Sequence, residues 1–370
     1  MKILYDGAIY SVQAAGGANR YWAKVIDHLP VSARPYLMTN TIRKTNYPGS
    51  QRLRTFYFKR FAFRPGRASL VLEKLYFKTV LKTRSFDVFH PSIYSENAAG
   101  ISVREFKCPI VVTIHDMIEE LYPEVDPMGL RHRQKAEVLE VASAVICVSH
   151  NTKRDLLKWF PKLKPAITVT HLASELDVSM SYGDRQVPQV PYFIFVGGRQ
   201  SSYKNFALLL KAFSGVIAMN CKVRLCLVGP PLTAEEKTEI SQLGLLEHIS
   251  HAGQPDDQYL AKLYRCSLAL VYPSLYEGFG IPPLEAMACG TLVIASNQAS
   301  LPEVIGDAGI LFDPHDVKSL TDILIGVARG QLNREAMIER GFNRASQFSW
   351  QRTADETFKV YREVAERAAN

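Results

Sequence analysis

The segment from Tyr272 to Gly290, YPSLYEGFGIPPLEAMACG, constrains the fold more than any other part of the sequence. The apolar run before it, residues 268–271, is typical of a buried strand. Two glycines, Gly278 and Gly280, then predict a loop, and the two prolines after them suit the first turn of a helix. A helix N-terminus has unpaired N–H groups and the positive end of the helix dipole. The segment therefore predicts an anion-binding site at the carboxyl end of a strand.

Two carboxylates frame this loop, Glu277 before the helix and Glu285 within it. A pair of glutamates is ordinarily a helix cap and a solvated side chain. Here Glu285 lies on an apolar helix, LEAMA, whereas a solvated face would carry more charge. We expect Glu285 to point inward, where its carboxylate needs a hydroxyl or N–H partner.

The spacing of the two glutamates within EGFGIPPLEAMACG resembles the signature of glycosyltransferase family 4, whose members are retaining enzymes with the GT-B fold. The resemblance implies two Rossmann-like domains, each a doubly wound parallel sheet, that face a central cleft. It also implies that Glu277 contacts hydroxyls of the donor sugar and that Glu285 holds the ribose. Gly278, Phe279 and Gly280 would lie near the sugar and the phosphates.

A second anion site is predicted after the strand YFIFV, where Gly198, Arg199 and Lys204 precede the helix NFALLLKAF. Two cations at a strand-to-helix turn suit a diphosphate, although two surface cations would give the same pattern. The resemblance implies that both touch the donor diphosphate. It further implies that Gly253 and Gln254 lie beside the nucleotide base.

In the first half, a loop is predicted from Gly7 to Gly17, between a strand and a helix, and it ends in the pair Gly16-Gly17. His115 directly follows the apolar strand PIVVTI. The G-x-G-x-x-G spacing is missing, so a dinucleotide-binding prediction is weak. Side chains at the carboxyl end of a parallel strand face the ligand crevice. The resemblance implies that the glycine pair lies over the donor phosphates and that His115 lies beside the donor sugar. A plain turn and a structural histidine are the alternatives.

Alternating strand and helix patterns predict an α/β protein with doubly wound parallel sheets. A chain of 370 residues is long enough for two cores. We predict an acceptor-side domain over residues 1–176, a linker over 177–191 and a donor domain over 192–349. The final helix, residues 350–370, resembles the terminal helix with which the family returns to its first domain.

The net charge of +8 is concentrated between Arg43 and Arg84, where twelve basic side chains stand against one acid, Glu73. Aromatic residues are interleaved with them, which suits an anionic surface such as a membrane, or nucleic acid. A solvated face with core aromatics is an equally good explanation. The basic residues are Arg43, Lys44, Arg52, Arg54, Lys59, Arg60, Arg64, Arg67, Lys74, Lys78, Lys82 and Arg84.

No apolar run is long enough to span a membrane, and the first residues read as a strand rather than a signal peptide. We therefore expect a cytoplasmic protein, with peripheral contact to the inner face of the plasma membrane through residues 43–84. No Asp-x-Asp motif is present to hold a metal, and the resemblance implies metal-free catalysis with no cofactor beyond the nucleotide-sugar substrate.

These features predict a retaining hexosyltransferase that uses UDP-glucose or GDP-mannose and a growing, lipid-linked saccharide, with no nucleic-acid partner. Two other functions stay open at this point. A GT-B sugar-nucleotide epimerase would share the diphosphate cations but would need acid and base carboxylates near the sugar. A non-enzymatic module that binds anionic surfaces would ignore sugar nucleotides, and salt would weaken it.

Overall fold

The computed structural model describes residues 1–13, 16–61, 66–94, 100–180 and 184–369, without the side chains of residues 66 and 67. The chain divides into two compact units. The first comprises Met1–Leu172 and Ser349–Asn370, and the second comprises Ala173–Phe348. Among the described residues, no helix has both the length and the apolarity that crossing a membrane requires.

The first unit alternates strands and helices from its first residues. Its strands are β1 (Lys2–Asp6), β2 (Arg34–Thr39), β3 (Arg54–Tyr57), β4 (Val88–His90), β5 (Val111–Ile114), β6 (Ala144–Cys147) and β7 (Ala166–Val169). Its helices are α1 (Ala8–Val12), α2 (Gly17–Asp27), α3 (Gly66–Thr83), α4 (Ile118–Leu121), α5 (Leu130–Val141) and α6 (His150–Trp159).

All strand pairs of the first unit are parallel, in the orders β3-β2-β1-β4 and β5-β6-β7. A single parallel bridge between Phe89 and Ile110 connects the two sheets. The sequence predicted a loop from Gly7 to Gly17, whereas the structure has the short helix α1 there, with Ala8, Ile9 and Tyr10 buried. Burial of these side chains favours a turn of helix over an open loop.

The second unit follows the same alternation. Its strands are β8 (Tyr192–Val196), β9 (Arg224–Val228), β10 (Ile249–Gly253), β11 (Ala269–Tyr272), β12 (Val293–Ser296) and β13 (Ile310–Phe312). Its helices are α7 (Phe206–Ala218), α8 (Ala234–Gln242), α9 (Asp257–Cys266), α10 (Ile281–Ala288), α11 (Leu301–Ile305), α12 (Val317–Ala328) and α13 (Arg334–Ala345).

The sheet of the second unit is wholly parallel, in the order β10-β9-β8-β11-β12-β13. This is the doubly wound Rossmann order, in which the direction of winding reverses between the first and fourth strands. Those strands are β8 and β11 here. Their apolar side chains are fully buried between helices, so continuous hydrophobic runs such as FIF and ALV form strands. The crevice beyond the carboxyl ends of β8 and β11 is therefore the place where this fold binds ligands.

The last helix, α14 (Trp350–Ala369), belongs to the first unit and packs against α2. Its inner face is buried there, and the hydroxyl of Tyr361 lies 3.2 Å from that of Tyr5 and 2.6 Å from His90 Nδ1. The segment predicted as a linker, residues 177–191, is grouped with the second unit. Lys262 Nζ donates to the carbonyl of Arg185, and Tyr259 OH to that of Gln186.

Candidate functional site

The loops that follow β8 and β11 are joined to each other at the switch point of the second unit. The backbone N–H of Leu275 donates to the carbonyl of Tyr203 at 2.7 Å. Asn205 adopts a left-handed conformation between the first loop and α7, and its side-chain amide donates to the carbonyls of Pro273 and Pro314. These bonds hold the two anion-binding segments that the sequence predicted next to each other.

Lys204 and Glu277 form an ion pair across these two loops. Lys204 Nζ lies 2.7 Å from Glu277 Oε1 and 3.5 Å from the hydroxyl of Tyr272. Only 16% of the Lys204 side chain and 12% of the Glu277 side chain are exposed. Burial acts to lower the pKa of Lys204, but the neighbouring Glu277 carboxylate outweighs it and holds that pKa above its usual value. Lys204 is therefore a permanent cation.

Arg199 is also paired with a carboxylate, but within a different set of contacts. Its Nε donates to Glu236 Oε1 at 2.8 Å, and its Nη2 donates to the carbonyl of Pro230 at 2.6 Å. Glu236 is fixed in turn, because it forms a capping box with Thr233 at the start of α8. The Arg199 side chain is 1% exposed, and its buried Nη1 has no hydrogen-bond partner among the described residues.

Glu285 lies inside the second unit, as its apolar helix predicted. The residue is 5% exposed, and the hydroxyl of Tyr264, on α9, donates to its Oε2 at 3.2 Å. Burial and the Glu285 charge hold the pKa of Tyr264 well above its ordinary value, so Tyr264 stays a hydrogen-bond donor. The partner that a buried carboxylate requires is therefore supplied from the neighbouring helix.

The start of α10 depends on a glycine. Gly280 has a φ of +112°, and a Cβ there would lie 2.9 Å from the side chain of Leu301. Ser300 Oγ lies within hydrogen-bond distance of the carbonyls of Glu277 and Phe279 and so fixes the strand-to-helix turn that contains Gly278. The turn thus presents the N-terminus of α10 in one conformation.

The other donor-side glycines flank the same sheet edge. Gly198 follows β8, and a Cβ there would meet nothing within 4 Å. Gly253 ends β10 with a φ of +69°, and its carbonyl accepts from the N–H of Gly229 at 2.8 Å. Gln254 follows it and is exposed. Their predicted roles at the phosphates and the base stay predictions.

His115 lies in the first unit, directly after β5. Its ring packs edge-on against Tyr21 with centroids 4.9 Å apart, and its buried Nε2 has no hydrogen-bond partner in the part of the chain that the structure describes. Burial lowers the pKa of His115 to about 4, and the charge of Lys135 acts in the same direction. His115 is therefore neutral at physiological pH and can donate or accept one hydrogen bond.

Burial also shifts the residue after it, Asp116, toward its neutral form. Burial raises its pKa to about 6, and the nearby Glu119 charge adds to the rise. Lys135 is fully buried behind this loop, where its Nζ donates to Glu120 Oε2 at 2.7 Å and to Glu119 Oε2 at 3.1 Å. The positive charge of Lys135 is thus neutralised within the first unit.

Gly16 and Gly17 lie at the start of α2, with Gly16 as its N-cap residue. The two residues before them, 14 and 15, lie outside the described residues. Among the described residues, no side chain accepts a hydrogen bond from the first N–H groups of this helix. This is the helix terminus that the glycine pair predicted.

Three side chains of the site were missed by the sequence analysis: Glu236, Tyr264 and Tyr272. The residues from Thr233 to Glu236 have the pattern of a capping box, so the start of α8 could have been predicted from the sequence. The bond from Glu236 to Arg199 spans 37 residues, and the one from Tyr264 to Glu285 spans 21. Such pairings depend on which strands and helices become neighbours in the fold, and no short stretch of the sequence indicates this.

Two family profiles together match most of the chain. The one described as Glycosyl transferases group 1 matches residues 184–344, and the one described as Glycosyltransferase Family 4 matches residues 15–173. The O-antigen chain mannosyltransferase B of Escherichia coli is 32% identical over 267 residues, which are 68% of this chain and 70% of that protein. A phosphatidyl-myo-inositol mannosyltransferase of Mycobacterium leprae is 33% identical over 175 residues, 46% of each chain.

Solved structures share the fold at lower identity. Sucrose-phosphate synthase from Thermosynechococcus elongatus aligns over 100% of both chains with a TM-score of 0.79 and 21% identity. HepE of Anabaena, solved with UDP and glucose, aligns over 97% of this chain and 99% of its own with a TM-score of 0.69 and 19% identity.

Proposed function

The chain belongs to the group 1, family 4 glycosyltransferases with the GT-B fold, and from this premise we propose that it is a retaining mannosyltransferase that uses GDP-mannose. The acceptor is a growing, lipid-linked saccharide. The observation that carries the proposal is the junction of the β8 and β11 loops. There, two buried cations, Arg199 and Lys204, and two carboxylates, Glu277 and Glu285, lie at the switch point of one Rossmann-like unit.

The proposed reaction breaks the bond between the anomeric carbon and the diphosphate, so negative charge develops on the leaving phosphate. Lys204 and Arg199 stabilise that charge, together with the N-terminus of α10. Because these cations belong to the protein, no metal is needed. In the proposed retaining route the acceptor attacks from the face that the diphosphate leaves, and the leaving phosphate takes the acceptor proton. His115, being neutral, hydrogen-bonds a sugar hydroxyl.

Mannose is favoured by the relatives. The E. coli and M. leprae proteins are both named mannosyltransferases, and one is named for O-antigen chains and the other for a phosphatidyl-inositol. Of the two donors that the sequence left open, GDP-mannose is the one that carries this sugar. One name refers to a saccharide chain and the other to a phosphatidyl lipid, and our proposal of a lipid-linked saccharide acceptor combines the two.

A thermal-shift panel of GDP, UDP, GDP-mannose and UDP-glucose tests the donor. A ligand present at about 100 times its dissociation constant adds about 2.7 kcal/mol to the free energy of unfolding. We expect the guanine compounds to raise the melting temperature more than the uracil compounds. A larger shift with UDP-glucose would overturn the choice of donor, and no shift with any of the four would overturn the proposed function.

Product analysis separates transfer from epimerisation. With GDP-mannose and a lipid-linked acceptor, the transferase releases GDP and extends the acceptor. Appearance of an epimerised sugar nucleotide without acceptor would contradict the proposal.

Membrane contact is proposed through α3 of the first unit. Val71 and Leu75 are 57% and 55% exposed, and Lys78 and Lys82 lie on the same side of the helix at i+3 and i+4 spacing. Exposed aliphatic side chains among lysines suit the boundary between headgroups and acyl chains. Each such cation contributes about 1 kcal/mol near an anionic surface.

Several basic side chains of the segment 43–84 have partners within the first unit. Arg43 and Arg52 donate to backbone carbonyls of their own unit, and Arg60 pairs with Glu73. Lys78 pairs with Glu105, but both side chains are 37% exposed, and because so exposed an ion pair is weak, Lys78 stays available to the proposed contact. Arg64 lies outside the described residues. These pairings shift the proposed contact from the whole segment to α3.

Sedimentation with vesicles tests this contact. We expect the protein to bind vesicles containing phosphatidylglycerol and not vesicles of phosphatidylcholine alone. Leu75→Ser should weaken binding, whereas Thr79→Ser, on the same exposed stretch, should not. Equal binding to both vesicle types, or to neither at low salt, would contradict the proposed contact.

A further inference from the structure

The two cations of the β8–β11 junction are held by their carboxylates in different ways. Arg199 makes bonds to the carbonyls of Pro230 and Pro231, which follow β9, and to Glu236 in the first turn of α8. In the part of the chain that the structure describes, Lys204 has one charged partner, Glu277, which belongs to the opposite loop. An arginine with several fixed acceptors keeps its position, whereas an ammonium with one partner exchanges that partner readily.

The carboxylates of Glu236 and Glu277 are also held in place by different contacts. Glu236 Oε2 accepts from the backbone N–H of Thr233 at 2.7 Å, so its carboxylate has a second role as a helix cap. The carboxylate of Glu277 is held by Lys204 and by the hydroxyl of Tyr272, and neither contact belongs to a helix cap, since Ser300 bonds the Glu277 backbone carbonyl instead. Glu277 can therefore release Lys204 without disturbing a cap.

We propose that Lys204 passes from Glu277 to the donor diphosphate when donor binds, and that Glu236 keeps Arg199 in one position throughout. Without ligand, Glu277 is the counter-ion of Lys204 and competes with the diphosphate for it. With donor bound, the freed Glu277 carboxylate becomes available to the sugar. Glu236 is a positioning residue that leaves Arg199 Nη1, buried and without a partner among the described residues, as the group that meets a phosphate oxygen. This inference rests on the proposed function.

The electrostatic cost of the unliganded state supports the exchange. The Lys204 side chain is only 16% exposed, so its ammonium needs a counter-charge, and Glu277 supplies it. A diphosphate supplies more negative charge and several acceptor oxygens. Removing the Glu277 charge therefore raises the free energy of the unliganded protein more than that of the complex, and ligand binding becomes tighter.

Calorimetric titration with GDP, and with UDP in parallel, tests the exchange. Glu277→Gln should bind GDP about three- to tenfold more tightly than the unmodified protein. This factor corresponds to an ion pair whose strength lies between that of an exposed pair and that of a partly buried one. In a Lys204→Met background the same substitution should give no gain. A gain that persists without Lys204 would show direct repulsion between Glu277 and the diphosphate and would overturn the exchange.

The Arg199 pair gives the matched comparison. Glu236→Gln should weaken GDP binding by about three- to tenfold, as expected when a charge-assisted bond that fixes a ligand-binding group is lost. In an Arg199→Met background it should have no further effect on affinity. This readout separates positioning from lost stability, because a broken cap would lower the melting temperature in both backgrounds. Tighter binding in Glu236→Gln, or weakening that persists without Arg199, would overturn the assignment.

Failure of this inference is distinguishable from failure of the proposed function. If the unmodified protein binds neither GDP nor UDP, the proposed function fails and the exchange fails with it. If it binds one of them and Glu277→Gln binds it equally or more weakly, only the exchange fails.

Discussion

The strand ends that carry the candidate residues differ in charge between the two units. Beyond β8 and β11 the side chains are ionised, and the surroundings of Lys204 hold it in its charged form. Beyond β5, burial moves both His115 and Asp116 toward their neutral forms. Both sites lie at the carboxyl ends of parallel strands, so topology alone does not set their chemistry. This difference is consistent with the proposed function, in which residues of the second unit stabilise a charged leaving group and His115 of the first unit bonds a neutral sugar hydroxyl.

Loss of a cation from the charged site should have the largest effect. Lys204→Ala should lower turnover by about a hundredfold or more, since its charge acts where negative charge grows in the transition state. Lys211→Ala, an exposed lysine on α7, is the matched control and should leave turnover unchanged. Release of GDP in the presence of acceptor measures both. Similar turnover in the two variants would contradict the role given to the charge of Lys204.

Loss of Glu285 should affect binding rather than turnover. The ribose that it is proposed to hold is the same in substrate and transition state, so the Michaelis constant should rise while turnover is largely kept. GDP should bind Glu285→Ala more weakly by roughly 1.5–3 kcal/mol. Tyr264→Phe removes only the hydroxyl that bonds Glu285 and should cost less, about 0.5–1.5 kcal/mol. A fall in turnover with unchanged affinity would assign Glu285 to the reacting sugar instead.

The neutral site predicts a pH dependence of stability. The pKa of His115 falls from 6.5 in the unfolded chain to about 4 in the folded protein. The contribution of this histidine to the free energy of unfolding is therefore fully present above pH 6.5 and is lost as the pH falls through about 4. Between pH 7 and pH 5 this costs about 1–2 kcal/mol of unfolding free energy. His115→Phe should lose less stability over that interval, as measured by urea unfolding. His90 is also buried with a lowered pKa, but because it is present in both proteins, its effect on the pH dependence of stability cancels in the comparison.

The smallest expected effect is that of a chelator. If side-chain cations alone stabilise the leaving phosphate, EDTA should leave turnover unchanged. Activity that EDTA abolishes and magnesium or manganese restores would contradict the role given to Arg199 and Lys204.

The sequence predicted the β11–α10 segment well because its information is local. An apolar run, two glycines and two prolines determine a strand, a turn and a helix start within a few residues, and the apolar neighbours of Glu285 predict its burial. The partners of the charged groups could not be predicted in this way. Glu236 reaches Arg199 only because β8 and β9 are adjacent in the sheet. Helix α1 was missed because its five residues, AIYSV, are too few to show a helical periodicity.

The first unit is discontinuous, since α14 completes a core that otherwise ends at Leu172. A ribosome releases residues 1–172 first, yet Tyr5 and His90 gain their partner Tyr361 only after the whole second unit has emerged. The second unit is continuous and has all its strands by then. Although domains that emerge first usually fold first, here the order of maturation is expected to run opposite to the order of synthesis. A chain interrupted before Trp350 would carry a finished second unit attached to an unfinished first one.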